Sequence, residues 1–202
     1  MAPPRKHRTD DILDAARDIV LADGPRAASV AVISRASGAP VGTLYHRFGS
    51  RDGLVAAAWL RALERFQAEV LAADAAHRDH PVAAGAAMAG AMVAFAGRHP
   101  GDARLLLAVR RGDLLDAAPE GFRERLDAIN APLETAVARV ARALHGRAGA
   151  RAVESVTRAV VDLPGAALRR HLVADGRSLP PWLAGDVIAA AKLLLGAASS
   201  AR

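Results

Sequence analysis

Apolar residues return every three or four positions along most of this chain, interrupted by short polar or Gly/Pro-containing stretches; the alternation of a half-buried strand is scarce. The first stripe, Ile12, Ala15, Ala16, Ile19 and Val20, predicts a helix that Thr9 caps and Gly24-Pro25 ends. Asp10 and Asp11 suit the positive end of its dipole. Val30 and Ile33 mark a short second helix with Ser29 in front as N-cap. Gly38 supplies a tight turn, and Leu44 and Phe48 put a third helix, from about Val41 to Phe48, on a buried face. Ser50 then caps a long helix from Arg51 to about Ala73, carrying Leu54, Ala57, Ala58, Leu60, Leu63 and Phe66.

Beyond the charged break Asp74 to His80 the pattern stays helical. Val82 to Arg98 is rich in small residues, and His99-Pro100-Gly101 breaks the chain before a short helix from Asp102 to Arg111. Glu120 to Leu144 has the cleanest stripe, and Pro132 inside it should kink the helix or break its ladder. Arg151 to Leu172 is interrupted by Pro164-Gly165. Pro180-Pro181 opens a final helix through about Ser199, which Gly185, Ala189, Ala190, Ala191 and Gly196 make thin enough for close helix contact. The expectation is an all-α protein: an N-terminal three-helix head with a helix-turn-helix, and a C-terminal helical bundle. Its divisions are residues 1–52 (basic arm and head), 53–80 (connecting helix and boundary) and 81–202 (body).

Composition narrows the class. With 52% hydrophobic and 24% charged residues the chain is globular, and aromatics at 3% leave Ala, Val and Leu to build the core. The absence of cysteine excludes disulfides and thiolate metal sites. A formal net charge of +6 permits a polyanionic partner. MAPPRKHR lacks the apolar segment of a signal peptide, and the longest uncharged run, Val82 to Gly97, is shorter than the ~20 apolar residues of a membrane span. A cytoplasmic location without a membrane partner is expected.

The informative chemistry lies between Ser29 and Asp52. With Leu44 and Phe48 turned inward, Gly42, Thr43, Tyr45, His46 and Arg47 face outward, the layout of a DNA-reading helix-turn-helix. Gly42 lets the backbone approach the groove, Thr43 offers a hydroxyl and a methyl, and Tyr45 and His46 can donate to phosphate. Arg35 and Arg47 read equally as backbone contacts or solvated charges. Arg51, at the N-terminus of the long helix, makes a phosphate clamp with the free N–H groups there. The arm of residues 1–8 reads equally as a disordered terminus or a minor-groove contact.

PVGTLYHRFGSRDGL, with Ala28 to Gly38 ahead of it, resembles the signature of the TetR family of transcriptional regulators. The resemblance spans roughly residues 9 to 56. It implies a homodimer on a palindromic double-stranded operator, released by a small-molecule effector, with Arg35, Val41, Gly42, Thr43, Tyr45, His46, Arg47 and Arg51 at the DNA. Two residues depart from the family pattern. Pro40 stands where Ser or Thr often caps the recognition helix, and Val41 where a polar or basic residue is common, so specificity leans on thymine-methyl contact and DNA shape.

The expected effector pocket is apolar, lined by Met88, Met92, Phe95, Leu106, Phe122, Leu126, Ile129 and Leu133, although for each of these a place in the core is the simpler reading. The last two helices should form the dimer's four-helix bundle through Val160, Leu168, Leu172, Val187, Ala191, Leu194 and Leu195. No cofactor is expected, and His77 and His80 lack a third metal ligand nearby. Two rival classes remain: an enzyme using Glu134, Glu154, Asp162 and His171, and a helical adaptor. Neither accounts for Ser29 to Asp52.

Overall fold

The computed structural model describes residues 9–109, 112, 114, 120–174 and 178–200. The helices are α1 (Thr9–Asp23), α2 (Val30–Ser37), α3 (Val41–Phe48), α4 (Arg51–Ala76), α5 (Pro81–Arg98), α6 (Pro100–Ala108), α7 (Phe122–His145), α8 (Ala150–Thr157), α9 (Leu163–Arg169) and α10 (Leu183–Ser200). Among the described residues there is no strand, and the all-α expectation holds.

Local chemistry sets the boundaries of the head. Ser29 Oγ accepts from the Val32 amide at the start of α2, and Ser50 Oγ accepts from the Gly53 amide at 3.0 Å at the start of α4. α6 begins at Pro100, earlier than expected, because a proline at the first helical position gives up only an amide that has no intrahelical partner. α7 runs unbroken through Pro132. Pro132 and Ala128, whose carbonyl the missing N–H leaves free, are both exposed, so water satisfies it. At Pro164 the outcome differs: a π turn, Arg158–Asp162, precedes the proline, and a second, Arg170–Ala174, follows α9. The wider turn accommodates a residue that cannot donate to the ladder.

Two hydrophobic cores meet along α4. The first joins Ile12, Ala16, Ile33 and Leu44 of the head to Leu54, Trp59 and Leu63 of α4, and extends to Leu105 of α6 and to Phe122 and Leu126 of α7. The second fills the body between α5, α7, α8, α9 and α10, around Met88, Phe95, Val140, Val156 and Leu195. α5 is apolar and long enough to qualify as a membrane span by composition, but 56% of it is buried in this core.

The close contact expected of α10 is made instead by the glycines of α5. A Cβ on Gly85 would lie 2.5 Å from Leu195 Cδ1, and one on Gly90 2.7 Å from Ile188 Cδ1, whereas Gly185 and Gly196 face open space. α10 supplies the knobs and α5 the recesses.

Candidate nucleic-acid interface

The turn between α2 and α3 is fixed by side chains as well as backbone. Gly38 takes φ 71°, a left-handed conformation that costs glycine little. Ser34 Oγ donates to the Ala39 carbonyl at 2.7 Å, Ser37 Oγ donates to the Ile33 carbonyl at 2.7 Å, and Ser37 Oγ also accepts from the Ala39 amide. The sequence puts Ser34 on the face shared by Val30 and Ile33 but does not show its partner, a carbonyl five residues on. A second constraint sits at Gly53, where a Cβ would lie 2.1 Å from the Phe48 carbonyl oxygen. Only glycine lets α4 begin so close to the end of α3.

With Leu44 buried and Phe48 half-buried, α3 turns its other face outward. Tyr45 is 53% exposed, His46, Arg47, Gly42 and Val41 are exposed, and Thr43 is half-buried. Arg35 is exposed on α2. Arg47 Nη1 reaches Thr9 Oγ1 at 3.4 Å, which puts the start of α1 beside the end of α3. Thr9 already lies within α1 rather than capping it. The basic arm of residues 1–8 lies outside the described residues.

Arg51 stands at the start of α4 as expected, with its side chain engaged by a neighbour. Its Nε and Nη2 both donate to Asp52 Oδ1, at 2.9 and 2.6 Å. The pair lines a cleft of about 520 Å³ between head and body, with Arg26, Val55, Val109 and Leu114. A guanidinium tied to its neighbouring carboxylate is a weaker phosphate clamp than a free one.

The head is fastened to the body by ions. Arg17 Nη1 on α1 donates to Asp102 Oδ1 on α6 at 2.8 Å, and Arg65 Nη1 on α4 donates to Asp102 Oδ2 at 3.2 Å. Arg61 bridges Asp10 and Asp14 of α1, and Arg65 also reaches Asp10. Asp102 is 2% exposed. Burial pushes its carboxyl up, but the hydrogen bonds from Arg17 and Arg65 outweigh that and hold it below its ordinary value. A second buried carboxylate, Asp74, ties the end of α4 to Arg139 of α7.

Residues 12–58 match the family described as bacterial regulatory proteins, tetR family. That match covers the head and the first residues of α4, and not the body. No curated protein sequence matches this chain. Solved structures resemble it over almost their whole length. One from Shewanella sp. PV-4, assigned to the tetR family of transcription regulators, has a TM-score of 0.71 at 19% identity, covering 94% of this chain and 96% of its own. PfmR from Thermus thermophilus gives 0.68 at 19%, covering 93% and 95%. FadR from Bacillus subtilis, solved with stearoyl-CoA, gives 0.65 at 12%, covering 96% and 100%. Identities this low speak to fold alone.

The fold places two further groups of sequence-assigned residues as follows. Val160, Leu168, Leu172, Val187, Ala191 and Leu195, expected at a subunit interface, are buried in the chain's own core; of the seven, Leu194 alone is exposed. The pocket candidates divide between the two cores. Met88, Met92, Phe95 and Leu133 belong to the body core and Phe122, Leu126 and Ile129 to the head core, while Leu106 packs against both. Among the residues of the rival enzyme reading, Glu134 and Asp162 are exposed, exposed Glu154 pairs with Arg158, and His171 stands edge-on to Trp182. His77 and His80 are exposed at the α4–α5 break.

Proposed function

We propose that this chain is a cytoplasmic homodimeric repressor that binds a palindromic operator and leaves it when a small apolar effector enters the body. It is a regulator rather than a catalyst. The observation that carries this reading is where large apolar side chains reach water. Among the described residues they fall in two places: Val32, Val41 and Tyr45 on the helix-turn-helix, and Val173, Trp182, Leu193 and Leu194 around the C-terminal helix. The first lies among Arg35, His46 and Arg47 and suits DNA. On α10 the second has a single basic residue, Lys192, beside Leu193 and Leu194, which are 76% and 43% exposed, and this more continuous apolar surface suits a second copy of the chain.

The effector's proposed place is along α4, where the two cores meet. Trp59 Nε1, in the head core, and Gln67 Oε1, about two turns further along the helix, are buried and lack hydrogen-bond partners, a state that costs about 1–3 kcal/mol for each group. An effector with an apolar body and polar atoms would relieve both. An acyl compound fits that description, and the B. subtilis FadR structure holds stearoyl-CoA. Release requires the effector to bind the conformation with displaced heads more tightly than the DNA-bound one.

The test is selection of operators from random-sequence DNA, followed by salt-titrated gel shifts. The expected result is an enriched palindrome with half-site centres about 34–36 Å apart, bound by a dimer. Leu193→Arg/Leu194→Arg should yield monomers with much weaker binding, and long-chain acyl-CoA should release the wild type. Binding without sequence preference, steeply lost with salt, overturns the regulator reading.

A further inference from the structure

We propose that Val41 reads the C5-methyl group of a thymine in each half-site of the operator, so that a thymine methyl, and not a hydrogen-bonding base edge, sets specificity at that position. This rests on the regulator reading above.

Val41 is the first residue of α3, and Pro40 precedes it as N-cap without a side-chain cap bond. The Pro40 carbonyl accepts from the Thr43 amide at 2.9 Å and from the Leu44 amide at 3.2 Å, so the first turn is held by backbone alone. Val41 itself is 42% exposed and is not among the side chains packed against the head core. Its neighbour Gly42 has no atom within 4 Å of where a Cβ would stand, which leaves open space beside it. Folding therefore gives no reason for an isopropyl group here. A β-branched residue is a slightly poorer helix former than most, and its apolar surface is left in water.

Its chemistry identifies the occupant. In a helix a valine side chain keeps essentially one rotamer, so both methyls are presented in a fixed direction without further loss of freedom. The side chain neither donates nor accepts a hydrogen bond. The thymine methyl is the apolar feature of base edges in the major groove, and N-terminal residues of a recognition helix are the ones that meet base edges. Exposed Arg35, His46 and Arg47 on the same two helices call for an anionic partner, which sets DNA above an apolar protein surface here.

The experiment uses the full chain and its selected operator. Each thymine in the half-sites is replaced in turn by deoxyuridine, which removes only the methyl, and affinity is measured for the wild type and for Val41→Ser, which removes both methyls and leaves a hydroxyl. For the wild type, one position should lose on the order of fourfold per half-site and about fifteenfold when both are substituted. Val41→Ser should bind the two DNAs within about twofold of each other at that position, while responding to other substitutions as the wild type does. The inference is overturned if no thymine position is sensitive, or if Val41→Ser keeps the full sensitivity, which would move the contact to Thr43. Failure of the selection to enrich any palindrome is a separate result: it removes the regulator reading, and the inference with it.

Discussion

The seam between α5 and α10 is made of glycine and aliphatic carbon; the seam that α1 makes with α4 and α6 is made of carboxylates and guanidiniums. In the first, Gly85 and Gly90 admit Leu195 and Ile188 to distances at which even a methyl would collide. In the second, Asp10, Asp14 and Asp102 share Arg17, Arg61 and Arg65. Van der Waals repulsion rises within tenths of an ångström, whereas charge attraction falls slowly with distance, and long arginine side chains can follow a moving partner. The α5–α10 seam therefore tolerates little displacement and the ion seam more, a division that suits the head movement proposed above.

The largest effect should come from filling the glycine recess. Gly85→Leu places a branched side chain where a Cβ already meets Leu195, and overpacking of this kind should cost about 3 kcal/mol. Urea unfolding followed by circular dichroism measures it; an unchanged midpoint would mean that the body is not rigidly packed there. Next comes Asp102→Asn, which keeps the shape but leaves Arg17 and Arg65 without that counter-charge. Both arginines are partly exposed, so the cost should be roughly 1–2 kcal/mol, well below that of breaking a fully buried pair. Hydrogen exchange should quicken in α1 and stay unchanged in α5. Equal changes in both would abolish the contrast between the seams.

The smallest effect is the acid response. Because the folded carboxyl of Asp102 lies below its ordinary value of 3.8, its contribution is complete at neutral pH and is lost only as pH falls through the folded value. The stability difference between wild type and Asp102→Asn should stay constant from about pH 7 to about pH 5 and close below about pH 4. A difference that closes near neutral pH would assign the ion seam to another group.

These seams explain what the sequence discloses and what it hides. The head is legible because its determinants are local: Ser29, Gly38, Leu44 and Ser50 each act within a few residues. The ion seam is not legible, since Arg17 and Asp102 are 85 residues apart and each passes for a surface charge. The residues expected at a subunit interface are illegible for a related reason. An apolar stripe shows that a face is buried but not by what, and Val160, Val187 and Leu195 are covered by their own chain while Leu193 and Leu194 remain outside. Small residues mislead in the same way at α10: the sequence shows where glycine occurs on both helices, and packing decides which glycine is used. Arg51 was placed correctly at a helix start, but its partner was the next residue in the chain.

The two tryptophans of this chain fall on opposite sides of that division. Trp59 is buried at the junction of head and body with its indole N–H unpaired, and Trp182 stands exposed beside His171 near the surface proposed for the second subunit. An indole in apolar surroundings emits at shorter wavelength than one in water. The protein thus carries two intrinsic fluorophores in different surroundings: under the proposed function, the blue component is expected to follow movement of the head on the body and the red component association of subunits, with no label attached.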